Sequence, residues 1–314
     1  MRRFLLGLLL ACTGGFALAA APRIPPAVPT LWSPPLPTAA DAHAYQFPIG
    51  AEMLGDITYQ TIVGYRPLKL DLYLPTHARG KLPLVVWIHG GGWEIGNPRA
   101  DWTYGDWTQV LARLAARGYA VAAISYRFSA EAPFPAQIDD VHAALRFLRA
   151  NAKLWHIDPT RVMTWGLSAG GHLSALAATE SATAPPDERV QGAVVWFGPS
   201  DLSKLKIAPG SAAAILLACP NSGCSKAAMQ AASPVTYITP AAPPMLIMQG
   251  EADPLVDPAQ AVELYQRLRA VGAPAQLIML PGLGHGFTGA SPAELQHLLD
   301  VTFDYFDQVA KSGR

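Results

Sequence analysis

Six short apolar runs, separated by segments with helical spacing, constrain this chain more than any other feature. They lie at 84–88, 120–125, 162–165, 192–196, 245–249 and 275–280. Between the first two, Trp107, Val110, Leu111, Leu114 and Ala115 recur at helical spacing, and Gly118 stands where a helix would stop. Between the next two, Ile138, Val141, Leu145 and Leu148 do the same, with Asp139 and Asp140 in the first turn and Arg146 and Arg149 in the last. Further helices are expected over 260–271 and 292–311. Alternation of this kind makes a mainly parallel sheet covered by helices on both faces. Two runs at 57–63 and 68–74, joined by Gly64-Tyr65-Arg66-Pro67, add an opening hairpin and bring the expected strand count to eight. The stretch 197–244 breaks the rhythm and reads as a small insertion before the strand at 245–249.

Upstream of this pattern the chain changes character. Arg2 and Arg3 precede an apolar stretch from residue 4, and Ala17-Leu18-Ala19 supplies the small-x-small pattern of a signal-peptidase site. Residues 1–19 therefore read as a signal peptide, which implies a periplasmic or secreted protein with no stable membrane partner after cleavage. An uncleaved anchor helix and a lipoprotein attached at Cys12, from Leu9-Leu10-Ala11-Cys12, are the alternatives. Seven prolines within 22–38 favour extended chain, so 20–50 reads as a linker or surface strap and 51–314 as the main folded domain. Cys219 and Cys224 sit five residues apart and in an oxidising compartment can close a small loop, contributing about 2 kcal/mol at best. Two cysteines without a nearby histidine do not complete a zinc site. With 23 basic and 23 acidic side chains and no dense basic run after residue 3, a nucleic-acid partner is disfavoured.

The chemistry concentrates at strand ends. Gly166-Leu167-Ser168-Ala169-Gly170-Gly171 follows the run at 162–165 and precedes a helical run, the setting of a nucleophile elbow. There a sharp turn projects the serine side chain at a helix N-terminus, where partial positive charge favours a developing anion. His89-Gly90-Gly91-Gly92-Trp93 follows the run at 84–88, where an oxyanion-hole loop is expected, so Gly91 and Gly92 join Ala169 as candidate donors. His285, within Gly282-Leu283-Gly284-His285-Gly286-Phe287 just past the last strand run, is the expected base. His89 reads as a brace for the glycine loop, and His172, His142 and His297 as structural. Asp253, after the run at 245–249, is the expected acid, with Asp257 and Asp201 as rivals. Trp93, Tyr126 and Phe128 are candidates for the substrate pocket.

With Tyr126-Arg127, Phe134-Pro135-Ala136-Gln137, Phe197-Gly198-Pro199-Ser200-Asp201-Leu202 and Ser233-Pro234-Val235, these motifs resemble the α/β-hydrolase superfamily, esterase/lipase group. The resemblance is to its hormone-sensitive-lipase-like members and, more narrowly, the acetyl-xylan and feruloyl esterase-like branch. It runs from about residue 52 to the end and departs at Gln249-Gly250, where relatives usually carry His-Gly. It implies a serine carboxylesterase that acts through an acyl-enzyme, needs no cofactor or metal, and takes short-chain esters, including acetyl or feruloyl groups on carbohydrate. An amidase, formamidase or peptidase on the same fold is the first rival. A catalytically inactive binding protein on this scaffold is the second. The sequence leaves the oligomeric state open.

Overall fold

The computed structural model describes residues 43–312, apart from 79, 101–104, 220 and 222. The expected signal segment, Cys12 and most of the proline-rich stretch lie outside these residues. Three strands open the described chain: β1 (His43–Phe47), β2 (Ala51–Gln60) and β3 (Leu68–Pro75). Alternation then sets in with β4 (Leu82–Ile88), α1 (Trp107–Ala116), β5 (Ala120–Ile124), α2 (Ala136–Ala150), β6 (Ile157–Leu167), α3 (Ala169–Glu180) and β7 (Gly192–Trp196). The insertion holds α4 (Ala212–Leu216) and α5 (Lys226–Ala231), and β8 (Met245–Gly250), α6 (Ala259–Ala270), β9 (Ala275–Leu280) and α7 (Pro292–Ser312) close the chain.

All nine strands form one sheet in the order β1-β2-β3-β5-β4-β6-β7-β8-β9. The pairs from β1 to β5 through β3 are antiparallel and the others parallel. The expected strand count of eight is therefore one short, and the sheet begins upstream of residue 51. The missing strand is β1. Among the four of its residues whose burial is described only Phe47 is buried, so it adds main-chain bonds at a sheet edge without an apolar run to announce it.

Side-chain alternation splits the core into two layers. Leu84, Val86 and Ile88 of β4 enter one, with Ile138, Val141, Leu145 and Leu148 of α2, Leu173 and Leu176 of α3, and Leu264 and Leu268 of α6. Val85 and Trp87 of the same strand enter the other, with Val110, Leu111 and Leu114 of α1 and Leu298, Phe303 and Phe306 of α7. The centre of this second layer is aromatic. Trp165 of β6 lies with its ring centroid 4.9 Å from Trp87, 5.3 Å from Trp107 and 5.1 Å from Trp196. Three residues further on, just past the end of the same strand, stands the serine of the elbow, so the aromatic cluster anchors the strand that presents it.

Trp165→Ala removes a side chain with no solvent exposure from this cluster. It is expected to cost about 3–5 kcal/mol of unfolding free energy. Leu154→Ala, at a residue 55% exposed, should change it by under about 0.5 kcal/mol. Urea unfolding of both variants followed by circular dichroism checks the contrast.

Candidate active site

The parallel strands β4, β6, β7, β8 and β9 deliver their following loops to one end of the sheet, where a cleft of about 1270 Å³ opens. Ser168 is the hinge between β6 and α3, with φ 52° and ψ −118°, a left-handed conformation that strains a residue bearing a side chain. Close packing around the turn holds it there. A Cβ on Gly170 would run into the carbonyls of Ile88 and His89, so only glycine lets α3 start against the end of β4. The Ser168 N–H donates to the Trp196 carbonyl at 2.9 Å, and the Ser168 carbonyl accepts from the His172 N–H at 2.9 Å. These bonds tie the elbow to β7 and launch the helix.

His285 starts a 3-10 turn after β9, and the edge of its ring meets the ring of Phe197 with centroids 4.8 Å apart. Its Nδ1 lies 2.8 Å from Asp253 Oδ2 and its Nε2 lies 3.0 Å from Ser168 Oγ. A carboxylate can only accept, so Nδ1 carries the proton and the Nε2 lone pair faces the serine hydroxyl. The Asp253 side chain is fully buried. Burial pushes its pKa upward, but bonds from His285 and from the Val256 and Leu255 N–H groups outweigh that and hold the carboxyl below its usual range. The two N–H groups reach Oδ1 at 2.9 Å each.

Gly91, Gly92 and Ala169 line the cleft beside Ser168. Gly91 and Gly92 take φ values of 108° and 61°, and the Gly91 carbonyl accepts from the N–H groups of Glu94 and Ile95 at 3.1 Å, closing the loop into a turn. Ala169 is the first residue of α3, so its N–H has no acceptor within the helix. Trp93 also lines the cleft, and its indole N–H donates to His172 Nδ1 at 3.2 Å. His172 in turn donates from Nε2 to the Ala232 carbonyl at 2.6 Å, which fixes its tautomer and joins the glycine loop to the insertion.

Tyr126 and Phe128 stand elsewhere than expected. Neither is among the residues that line the cleft. The Tyr126 ring is buried and stacks on His89 at 4.4 Å, its hydroxyl donating to the His89 carbonyl at 3.1 Å. Phe128 packs between His89 and the Arg66 guanidinium. The chain leaving β5 passes behind the glycine loop, so both rings support that loop from beneath. The rival acids have other partners. Asp257 accepts from the Ala259 N–H at 2.9 Å at the start of α6, and Asp201 from the Ser203 N–H at 3.0 Å. The insertion does lie beside the site, as its break in the strand–helix rhythm led one to expect, and two details escaped the sequence: which of its residues reach the cleft, and a donor to Asp253. The insertion supplies a cleft wall through Leu205, Ile207 and Ala213, and Gln249 donates to Asp253 Oδ2 at 2.9 Å. Apolar positions in an irregular segment carry no periodicity to reveal the first. The departure Gln249-Gly250 was the only signal for the second. Among the described residues no group of three or more His, Cys, Asp or Glu is arranged to hold a metal ion, and no helix is long and apolar enough to cross a membrane.

A serine held at a strained strand-to-helix turn, facing a histidine brought by the last strand of a mostly parallel sheet, defines an α/β-hydrolase. The chain belongs to the BD-FAE family, whose model matches residues 70–268. It is 33% identical over 256 residues to the "Probable carboxylic ester hydrolase LipM" of Mycobacterium tuberculosis, covering 77% of this chain and 58% of that one. Among solved structures, a truncated carbohydrate esterase from gut microbiota matches with 27% identity and a TM-score of 0.70, over 82% of this chain and 96% of the other. A bifunctional GH43-CE protein of Bacteroides eggerthii matches with 31% identity and a TM-score of 0.70, over 82% of this chain and 38% of that one. The chain spans about three-fifths of the length of the first curated relatives it matches.

Two expectations follow from the site. Asp253→Asn should lower ester turnover on the order of 10⁴-fold, as amide replacement of an orienting aspartate does in a serine protease. Asp201→Asn and Asp257→Asn should keep most activity, and steady-state kinetics on purified variants checks the contrast. The second concerns pH. His89 and His172 are buried, and burial pushes each pKa from 6.5 down to about 4. The unfolded chain then binds more protons than the folded one between these values, so stability should fall as pH drops from 6.5 toward 4. Urea unfolding at several pH values should show this slope, and His172→Gln should flatten it.

Proposed function

We propose that the chain is a serine carboxylesterase that hydrolyses short-chain carboxylic esters, acetyl or feruloyl groups on carbohydrate among them. The observation that carries this reading is the continuous relay from Ser168 Oγ to His285 at 3.0 Å and on to Asp253 at 2.8 Å, at the wall of an open cleft. Ser168 attacks the ester carbonyl carbon while His285 Nε2 takes its proton. The carbonyl oxygen becomes an oxyanion beside the N–H groups of Gly91, Gly92 and Ala169, each such donor typically supplying about 3 kcal/mol. The tetrahedral intermediate collapses, and the alcohol leaves with the proton from His285. Water then attacks the acyl-enzyme, giving its proton to the same nitrogen, and Ser168 departs with it as the acid is released. Asp253 keeps the imidazole in the accepting tautomer and balances the imidazolium. The names of the relatives, a carboxylic ester hydrolase and a carbohydrate esterase, support an ester as substrate.

The same reading includes export. Cys219 and Cys224 have Cα atoms 5.2 Å apart, a separation that suits a disulfide. They border the insertion helices α4 and α5, so the bridge would brace the segment that forms the cleft wall.

Ser168→Ala is expected to keep the fold and to lower p-nitrophenyl acetate hydrolysis by several orders of magnitude. A fluorophosphonate probe should label the wild type and not the variant. Retention of more than about a tenth of wild-type activity would remove Ser168 from the nucleophile role. A higher kcat/KM on an aminoacyl anilide than on the ester would turn the reading to an amidase. Exported protein should begin near Ala20 and show unreactive thiols until reduced, which N-terminal sequencing and thiol titration test.

A further inference from the structure

Gln249, the last residue but one of β8, has no solvent exposure, and its side chain turns toward the carboxylate of Asp253. Three acceptor oxygens converge on its Nε2: Asp253 Oδ2 at 2.9 Å, the Gly250 carbonyl at 3.2 Å and the Val256 carbonyl at 3.4 Å. Only an NH₂ group fits that position, because a carbonyl oxygen there would face three others. The Gln249 Oε1 is buried without a hydrogen-bond partner. An apolar side chain of similar volume would avoid that orphaned oxygen, so packing alone does not account for glutamine here.

Asp253 Oδ2 therefore accepts two bonds, from Gln249 and from His285 Nδ1 at 2.8 Å, while Oδ1 takes the two main-chain N–H groups. We infer that Gln249 is a positioning residue for the reaction: a neutral donor that pins Oδ2 in line with His285 and draws charge from it, so that the imidazole is not held too firmly as imidazolium to act as base. The inference rests on the Ser168–His285–Asp253 reading and assigns Gln249 a role in it. Each donor on a carboxylate spreads its negative charge and lowers its basicity. With one donor removed, Asp253 attracts the imidazolium more strongly, and His285 releases its proton only at higher pH. The other charged groups along the cleft are Lys204, Lys206 and Asp257, with Glu251 on the loop after β8. Lys204 is engaged by Glu263 at 2.7 Å and Asp257 by the start of α6. None of these groups is altered by a change at Gln249.

The test uses Gln249→Met, which keeps the volume and removes the donor, and Gln249→Leu, which removes the donor with a different apolar shape. For each, kcat and KM on p-nitrophenyl acetate are measured across pH, alongside circular dichroism and thermal melting. The expected result is a fall in kcat of about 10- to 100-fold with KM within about two-fold of wild type. The acid limb of kcat/KM should move up by about one pH unit in Gln249→Met and in Gln249→Leu, both of which lack the donor. Unchanged kinetics, or slower turnover with the acid limb unmoved, overturns the inference. If Gln249→Met does not fold, Gln249→Leu decides by the same criteria. Wild type that fluorophosphonate fails to label at Ser168 overturns the parent reading and this inference together. Labelled wild type with an unmoved limb in the variants overturns this one alone.

Discussion

The strained backbone of Ser168 is the constraint around which the described chain is built. A side-chain-bearing residue stays at φ 52° only where its neighbours leave it no other conformation. Here the neighbours are the carbonyls at the end of β4, which admit α3 only with glycine at 170, and the carbonyl of Trp196 on β7. Both depend on the register of the central parallel strands, in which Ile88 pairs with Gly166 and Leu167 with Trp196. Sheet register, helix approach and side-chain projection are in this sense one geometrical problem, and the aromatic layer around Trp165 supplies the rigidity that keeps it solved.

Electrostatics at the site runs through an alternation of charged and neutral groups. Asp253 is a buried anion whose two oxygens are both engaged, and His285 is the only partner that can become a cation. The imidazoles that flank the glycine loop are kept out of this exchange. Burial drives His89 and His172 toward the neutral form, so both serve as hydrogen-bonding struts beside the relay.

Legibility in the sequence followed chain distance. The elbow, the glycine loop and the histidine turn are each written in a handful of consecutive residues, and each follows an apolar run, so Ser168 and His285 stand out from local pattern, whereas Asp253 shares its setting with rival aspartates. The parallel order was readable for the same reason, since strand and helix periods alternate in plain view. The features that were missed depend on separated segments or on weak patterning. β1 joins the sheet as an edge strand with little apolar character of its own. Tyr126 and Phe128 follow a strand end, as a pocket residue would, but the chain behind the glycine loop gives their rings something closer to pack against. Gln249 is marked only by the departure Gln249-Gly250, and its meaning emerges only when the loop that follows curls back over its amide.

The bond chain from Trp93 through His172 to the Ala232 carbonyl bears on how this scaffold can be altered. Trp93 belongs to the glycine loop, His172 to the helix that begins after Ser168, and Ala232 to the insertion between β7 and β8. A graft that exchanges the insertion for one of different length transplants one terminus of that chain and leaves the other two behind. Unless the incoming segment offers a carbonyl at the same point, the imidazole loses its acceptor, its tautomer is released, and the indole that walls the cleft loses its fixed partner. The insertion is thus not an independent cassette: recombination has to carry it together with the first turn of α3.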